Sequence, residues 1–263
     1  MDAAEPGGHV SADRRRLASV TSAAPGPPQR PASKVAVVSG ANRGLGLQVV
    51  RMLAERGMRV VLGSRSAERG RDVIELLGGL ADRVAVHQLD ITSEASVARL
   101  AGWLHRRLGR CDVLVNNAAV LLDDDQDSAT TDLDLVRRTL ETNLLGTWRL
   151  TQAIVPLMRA GGSGRIVNVS SGLASLTAMR RGYPAYRVSK AALNALTRML
   201  ADELAPHGIL VNACCPGRAR LDVDDDAEPI ALSAAADTQV WLATLPDDGP
   251  TGGFYRGRVP IDW

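Results

Sequence analysis

Residues 34–46 read KVAVVSGANRGLG, a short apolar run that passes directly into Gly40, Gly44 and Gly46. The apolar run predicts a buried strand, and the segment after the glycines predicts a helix of about 11 residues. Glycines at such a turn let the backbone approach a pyrophosphate, whose charge the free N–H groups and positive end of the helix would hold. The pattern therefore indicates a dinucleotide-binding turn, although Gly-rich turns also arise for packing reasons alone.

After this turn, short Val/Ile/Leu runs alternate with longer helical patterns. Strands are predicted near residues 34–39, 59–63, 83–88, 112–116, 165–170, 209–214 and 253–256. Strand–helix alternation predicts a parallel sheet with helices on both faces, and the strands are too few for an eight-fold barrel. We therefore expect an α/β fold, a single-domain doubly wound parallel sheet over residues 34–263, with the ligand at its switch point.

A second motif, Tyr183-Pro-Ala-Tyr186-Arg-Val-Ser-Lys190, starts an Ala- and Leu-rich helical pattern that extends to Ala205. Tyr186 and Lys190 have the i, i+4 spacing that puts two residues on one helix face. The lysine charge would favour the phenolate and lower the tyrosine pKa from its normal value of about 10. A tyrosine tuned in this way can act as an acid near neutral pH. Taken alone, such a pair is more often an exposed aromatic beside a solvated lysine.

Further motifs follow in order along the chain: Asp90, Asn116-Asn117-Ala118-Ala119, Asn143, Ser170-Ser171 and Pro216-Gly217. Together with the glycine turn and the Tyr/Lys pair, they make residues 34–263 resemble the short-chain dehydrogenase/reductase family, in its carbonyl-reductase-like branch. The resemblance implies a Rossmann fold that binds NAD(P) and catalyses hydride transfer. It implies a cofactor site made of Gly40, Asn42, Arg43, Gly44, Leu45, Gly46, Ser64, Arg65, Asp90, Ile91, Asn117, Ala118, Ala119, Tyr186, Lys190, Pro216 and Gly217.

The resemblance also implies four catalytic roles. Tyr186 would be the acid that protonates the substrate oxygen, and Ser171 would donate a hydrogen bond to the same oxygen. Lys190 would bind the nicotinamide ribose, and Asn143 would hold a water that resupplies the proton. Because successive strand residues face opposite ways, only one of Ser170 and Ser171 can point at the substrate. We choose Ser171.

The choice of cofactor depends on the end of the second strand. Ser64 stands where enzymes that prefer NAD usually carry an Asp or Glu. With no carboxylate to repel a 2′-phosphate, and with Arg65 and Arg43 as planar cationic donors, the predicted cofactor is NADP(H). An idle, exposed Arg65 is the alternative. Asp90 resembles the residue that accepts a hydrogen bond from the adenine amino group, or it caps a helix beginning near Thr92.

Two features bear on the substrate side of the predicted site. Leu221 stands where the family often has a Thr that hydrogen-bonds the nicotinamide carboxamide, and losing a neutral hydrogen bond costs on the order of 1 kcal/mol. Acidic runs at residues 123–127 and 222–226 would flank the mouth of the site and favour a cationic or polyhydroxylated substrate. We favour the alternative for residues 123–127, that they form a solubilising loop.

Composition excludes several other functions. The net charge is +2, from 31 basic and 29 acidic residues spread along the chain, so we predict no nucleic-acid partner. The histidines lack ligand spacing, so we predict no metal. No 18-residue apolar stretch exists, so we predict no membrane span and a cytoplasmic protein.

Cys111, Cys214 and Cys215 suggest reduced packing residues, although the adjacent pair could also be a redox pair. Residues 1–33 are rich in proline and poor in large apolar residues, so a disordered N-terminal extension is expected.

We therefore predict an NADPH-dependent oxidoreductase that reduces a ketone or an aldehyde, with a small-molecule carbonyl or alcohol as its substrate. The same machinery run oxidatively, as an NADP-dependent alcohol dehydrogenase, is one alternative. A non-catalytic dinucleotide-binding sensor or scaffold is another, which the joint presence of the four catalytic residues opposes. Helices near residues 132–159 and 186–205 are long enough for the paired-helix interface of the family, which predicts a homodimer or homotetramer.

Overall fold

The computed structural model describes residues 33–124, 126–217 and 231–263. Strands β1 to β8 are Val35–Val38, Arg59–Ser64, Val84–Gln88, Val113–Asn116, Gly164–Val169, Ile209–Cys214, Phe254–Arg256 and Val259–Pro260. Helices α1 to α7 are Gly44–Glu55, Ala67–Asp72, Glu94–Arg107, Leu133–Leu140, Thr147–Gly161, Pro184–Leu204 and Leu232–Ala243. The expectations for residues 1–32, for Leu221 and for the acidic run at 222–226 lie outside the described residues.

The described strands form one sheet in the order β3-β2-β1-β4-β5-β6-β7-β8. Every neighbouring pair is parallel except β7 and β8, which are antiparallel. The seven predicted strands are all present, within one or two residues of their expected bounds. The short β8 was not predicted, because two residues carry no periodicity. The strand order reverses between β1 and β4, so the glycine turn after β1 opens at the switch point.

Alternate residues of each central strand belong to the cores on the two sides of the sheet. Val37 packs in the core that contains Ile154 of α5 and Leu193 of α6. Its neighbour Val38 packs in the other core, with Leu53 of α1. Both valines are fully buried. This two-sided burial explains why the strands are continuous apolar runs, and it fixes the strand ends where the polar motifs begin.

The segment predicted as one helix near residues 132–159 contains a change of helix type. Helix α4 ends at Leu140, residues Glu141–Gly146 form a π-helical turn, and α5 then begins at Thr147. Apolar periodicity reveals the helical segment but not this wider turn. The turn contains Asn143, consistent with the tendency of π-helical turns to occur at functional sites.

Candidate active site

The glycine turn between β1 and α1 has conformations and contacts that exclude larger residues. Gly40 has φ +62°, and a Cβ there would lie 2.8 Å from Cα of Ala118. A Cβ on Gly46 would lie 2.5 Å from Nδ2 of Asn117 and 2.7 Å from the carbonyl oxygen of Gly40. Gly44, with φ +54°, has open space at its Cβ position. Backbone geometry therefore requires the first glycine of the turn, and close packing requires the last.

The start of α1 has no side-chain cap. Arg43 is the N-cap residue and makes no capping hydrogen bond, and the first turn contains no acidic residue. The first N–H groups of a helix have no partner within the helix, and they carry its positive end. The turn formed by Asn42, Arg43, Gly44 and Leu45 therefore has the features of an anion-binding site.

The ends of β1 and β4 are held together by hydrogen bonds at the crevice. Asn117 Nδ2 donates to the carbonyl oxygens of Ser39 and Gly40, at 2.9 and 3.1 Å. The Ser39 hydroxyl accepts from the backbone N–H groups of Asn117 and Ala118, both at 3.0 Å. Sequence reasoning gave Ser39 no role. The expected ribose-lining residues thus lie directly against the glycine turn, and Ala119 beyond them is exposed.

The end of β2 has no acidic side chain. Ser64 is buried, and its hydroxyl donates to the carbonyl oxygen of Ser66 at 2.7 Å. Arg65 and Arg43 are both exposed. The end of this strand therefore presents cationic guanidinium groups and no carboxylate, which suits a phosphate better than a free 2′-hydroxyl.

Asp90 closes the turn that follows β3. Its Oδ1 accepts from the backbone N–H of Thr92 at 3.0 Å and from the Thr92 hydroxyl at 2.7 Å. The alternative that Asp90 caps the next helix is wrong, because α3 begins at Glu94 and its N-cap is Ser93. The neighbouring Ile91 uses its carbonyl oxygen to accept from Arg149 at 2.8 Å.

Ser171 and Tyr186 meet at the carboxyl end of the sheet. The Ser171 hydroxyl lies close enough to the Tyr186 phenol to lower its pKa, and it accepts a hydrogen bond from the N–H of Leu173 at 3.2 Å. Ser170 faces away, and its hydroxyl donates to Asn194 Oδ1 at 2.6 Å within the core. Of the two adjacent serines, the structure brings Ser171 to the tyrosine.

The pKa of Tyr186 differs from the sequence expectation, which was wrong in direction. Burial raises the pKa from 10.0 to about 12, and the Ser171 hydroxyl only partly opposes it. Lys190 Nζ lies 5.7 Å from the centroid of the tyrosine ring and donates to the carbonyl oxygen of Val169 at 2.7 Å. Burial also lowers the pKa of Lys190 from 10.5 to about 8. Desolvation of both groups therefore outweighs the attraction that their spacing predicts.

The Asn143 amide links the loop after β4 to α6. Its Oδ1 accepts from the N–H of Val120 at 2.8 Å, and its Nδ2 donates to the carbonyl oxygen of Val120 at 2.8 Å. The same Nδ2 lies 3.0 Å from the Ser189 hydroxyl, to which it also donates. The side-chain amide of Asn143 thus bonds to protein groups. The predicted water that resupplies the proton would therefore have to bind another atom of the segment around Asn143.

Pro216 and Gly217 follow β6 beside a buried thiol. The Cys215 sulfur accepts from the N–H of Gly172 at 3.1 Å and from the N–H of Gly217 at 3.4 Å. It also accepts two hydrogen bonds from Arg256, both at 3.3 Å. All three cysteines are free and buried, as predicted for packing residues. Cys215 therefore joins the segment after Ser171 to the segment after β6.

Sequence reasoning missed Asp123, which was assigned to a solubilising acidic loop. The residue is fully buried, and its Oδ2 accepts from the N–H groups of Ala185 and Tyr186, at 2.7 and 3.2 Å. Its neighbour Asp124 is exposed, as a solubilising loop predicts. A run of like residues gives no indication of which member turns inward.

Within the described residues, 33–124, 126–217 and 231–263, no group of three or more His, Cys, Asp or Glu side chains is arranged to hold a metal ion. Within the same ranges, no helix is long and apolar enough to cross a membrane.

Comparison with protein families matches residues 34–229 to the short chain dehydrogenase model. A (+)-neomenthol dehydrogenase of Capsicum annuum is 29% identical, over 86% of this chain and 97% of the relative. The human protein named carbonyl reductase [NADPH] 3 is 34% identical, over 88% of this chain and 99% of the relative. A crystal structure of a metagenomic short-chain oxidoreductase in complex with NADP matches with a TM-score of 0.71 at 33% identity. That match covers 82% of this chain and 93% of the other.

Proposed function

Because the chain belongs to the short-chain dehydrogenase/reductase family, we propose that it reduces a ketone or aldehyde to an alcohol with NADPH. Tyr186 is the proton donor in this proposal. The observation that carries it is the placement of the Ser171 hydroxyl beside the Tyr186 phenol, next to the buried ammonium of Lys190. The arrangement provides two hydroxyl donors for one oxygen atom at the carboxyl end of the sheet.

The chemistry follows from the charge that a carbonyl develops when it is reduced. NADPH, when bound, supplies the hydride that adds to the carbonyl carbon. Negative charge then builds on the oxygen, where Ser171 donates a hydrogen bond and Tyr186 transfers its phenolic proton. Lys190 carries the charge that stabilises the resulting phenolate, and Asn143 maintains the geometry of the loop opposite. The carbon–oxygen double bond becomes a single bond, while one C–H bond and one O–H bond form.

The reductive direction is supported by the protonation state of Tyr186. Burial raises its pKa to about 12, so the group is a phenol at neutral pH. Reduction needs this proton donor, whereas alcohol oxidation needs a base at the same atom. Alcohol oxidation would thus have to start from the Tyr186 phenolate, which is the protonation state that the site disfavours.

The cofactor in this proposal binds across the switch point, with its pyrophosphate at the uncapped start of α1. Arg65 and Arg43 bind the 2′-phosphate of the adenine ribose, which explains a preference for NADP(H) over NAD(H). Asn117 and the two alanines after it line the ribose, and Asp90 and Ile91 lie beside the adenine. Relatives named for NADPH or solved with NADP support this choice.

The proposal includes a homodimer or homotetramer formed through the long helices. Leu145 and Trp148 are 43% and 36% exposed near the start of α5, and Val188 and Met199 are 54% and 49% exposed on α6. Large apolar side chains on two neighbouring long helices are what a second copy would cover. Sedimentation of the purified protein tests this part.

The compartment that we propose is the cytoplasm. Free Cys111, Cys214 and Cys215 are consistent with a reducing environment. Fractionation of cells that express the full chain tests this assignment.

The function is tested by titrating the purified protein with NADPH and NADH and then adding a panel of ketones, aldehydes and quinones. The expected result is tighter binding of NADPH and oxidation of the cofactor by at least one substrate. Tyr186→Phe keeps the half-buried ring and removes the hydroxyl, so it should retain cofactor binding and lose on the order of 100-fold or more in turnover.

The control for this variant is Tyr255→Phe, which makes the same change at a buried tyrosine of the core beside α7. Turnover in Tyr186→Phe equal to that in Tyr255→Phe would refute the assignment of Tyr186. Binding of NADPH without turnover across the whole panel would favour the sensor alternative.

A further inference from the structure

The helix that carries the proposed proton donor cannot cap its own N-terminus. Tyr183, the N-cap residue of α6, has φ 53° and ψ 46° and makes no side-chain capping hydrogen bond. Pro184 follows and has no N–H group. The next two N–H groups, of Ala185 and Tyr186, precede the first i→i−4 bond, so their acceptors must come from elsewhere in the protein.

Asp123 supplies the acceptor for both groups. Its Oδ2 lies 2.7 Å from the nitrogen of Ala185 and 3.2 Å from that of Tyr186, across separations of 62 and 63 residues. The second oxygen, Oδ1, is buried and has no hydrogen-bond partner among the described residues. A carboxylate at the positive end of a 21-residue helix forms charge-assisted hydrogen bonds. The contact is therefore a remote helix cap that carries a charge.

The backbone of Tyr186 is held on both sides by this arrangement. Asp123 accepts from its N–H group, and the Ser189 hydroxyl donates to its carbonyl oxygen at 2.7 Å. Ser189 in turn accepts from Asn143, which binds the backbone of Val120 in the same loop as Asp123. The loop after β4 is thus attached to the tyrosine at two points.

Burial is the largest cause that raises the pKa of Tyr186, and three neighbouring side chains also affect it. The Ser171 hydroxyl lowers the pKa, whereas Cys215, after β6, and Asp123, after β4, raise it, each less than burial does. Lys190, on α6 itself, places its ammonium 5.7 Å from the ring centroid. Asp123 is the carboxylate in this set, and it opposes the positive helix end that would otherwise favour the phenolate.

We propose that Asp123 is a positioning residue whose carboxylate holds Tyr186 in place and whose charge opposes ionisation of its phenol. This inference rests on the proposed function, because it assigns Asp123 a part in proton donation. It predicts that the charge of Asp123 affects the ionisation of Tyr186 separately from the capping hydrogen bonds that Asp123 accepts.

The test uses Asp123→Asn in the full chain, because the amide oxygen still accepts hydrogen bonds but carries no charge. The first readout is the ionisation of Tyr186. It is followed as the part of the tyrosinate absorbance that disappears when Tyr186→Phe is added to the same protein. Circular dichroism at each pH confirms that the protein is folded. The Tyr186 ionisation should move to lower pH, by up to about one unit. The second readout is kcat at neutral pH.

The matched control is Asp124→Asn, which removes an exposed charge one residue away and should leave both readouts unchanged. Asp123→Ala removes the acceptor as well, so it should lower kcat further at every pH, with partial rescue in Asp123→Asn. If Asp123→Asn does not fold, Asp123→Ser, which retains a hydroxyl acceptor, is expected to give the same shift.

An unchanged Tyr186 ionisation in Asp123→Asn, or an equal shift in Asp124→Asn, would overturn the inference. The tyrosinate titration needs no substrate. A failure of the proposed function would appear as absent turnover in the wild-type protein, and it would leave this readout intact.

Discussion

Replacing Gly46 by alanine should weaken both the fold and the binding of cofactor. The added Cβ would lie 2.5 Å from Asn117 Nδ2, 2.7 Å from the Gly40 carbonyl oxygen and 2.8 Å from Cα of Ala41. The amide can rotate away, but the other two atoms belong to the backbone of the glycine turn. The first turn of α1 must therefore move relative to the ends of β1 and β4.

The cost follows from the contacts that such a shift breaks. Asn117 would lose its two hydrogen bonds to the carbonyl oxygens of Ser39 and Gly40, each worth about 1 kcal/mol. Overpacking adds roughly 1–3 kcal/mol. We therefore expect the free energy of unfolding to fall by at least about 3 kcal/mol. A chain of this size loses about 2–4 °C in Tm for each kcal/mol, which gives a fall of about 6–12 °C.

The assay is thermal unfolding together with fluorescence titration by NADPH. Because the shifted turn is the proposed pyrophosphate site, Kd for NADPH should rise at least about tenfold, equivalent to 1.4 kcal/mol. Gly57→Ala is the control: Gly57 has φ +82° and open space at its Cβ position, at the other end of α1. It should cost about 1–2 kcal/mol of strain and leave NADPH binding unchanged.

Gly46→Ala with wild-type Tm and wild-type Kd would refute the reasoning, because the contacts would then be looser than described. A fall in Tm with unchanged Kd would separate packing from cofactor binding, and it would place the pyrophosphate elsewhere.

Two further outcomes are expected. Arg65→Ala should weaken NADPH binding by about tenfold or more and leave NADH binding nearly unchanged, as measured by fluorescence titration. An equal loss for both cofactors would contradict the assignment of Arg65 to the 2′-phosphate. Lys190→Met should gain stability relative to the wild type at neutral pH, because burial lowers the pKa of Lys190 from 10.5 to about 8 and the unfolded chain binds the proton more tightly. That advantage should be full below about pH 8 and fade as the pH rises toward 10.5, so a difference in Tm that is constant with pH would contradict it.

Much of the fold could be predicted because its signals are local. Strands buried on both faces are continuous apolar runs, and each ends where a polar motif begins. The convergence of Asn117, Ser171 and Tyr186 followed from the shared carboxyl edge of parallel strands. Alternation of successive residues also predicted that only one of Ser170 and Ser171, which directly follow β5, would face the site. The choice of Ser171 came from the family resemblance.

The rest depends on contacts between distant parts of the chain. The spacing of Tyr186 and Lys190 gives their proximity but not their burial, so the direction of the tyrosine pKa shift was wrong. Asp123 belongs to an acidic run with nothing local to separate it from Asp124. Its place at the start of α6 is set by the path of the loop after β4, which no periodicity encodes.

The π-helical turn Glu141–Gly146 holds one residue more than an α-helical turn would. Because the extra residue is taken up within the wider turn, α4 and α5 keep nearly the relative rotation of one continuous α-helix. Deleting a single residue there would let residues 133–161 form one uninterrupted α-helix, and α5 would keep its apolar face on the sheet. The change would fall on Asn143, which would lose the position from which it binds Val120 and Ser189. A one-residue deletion in this turn should therefore leave the fold largely intact while disturbing the site.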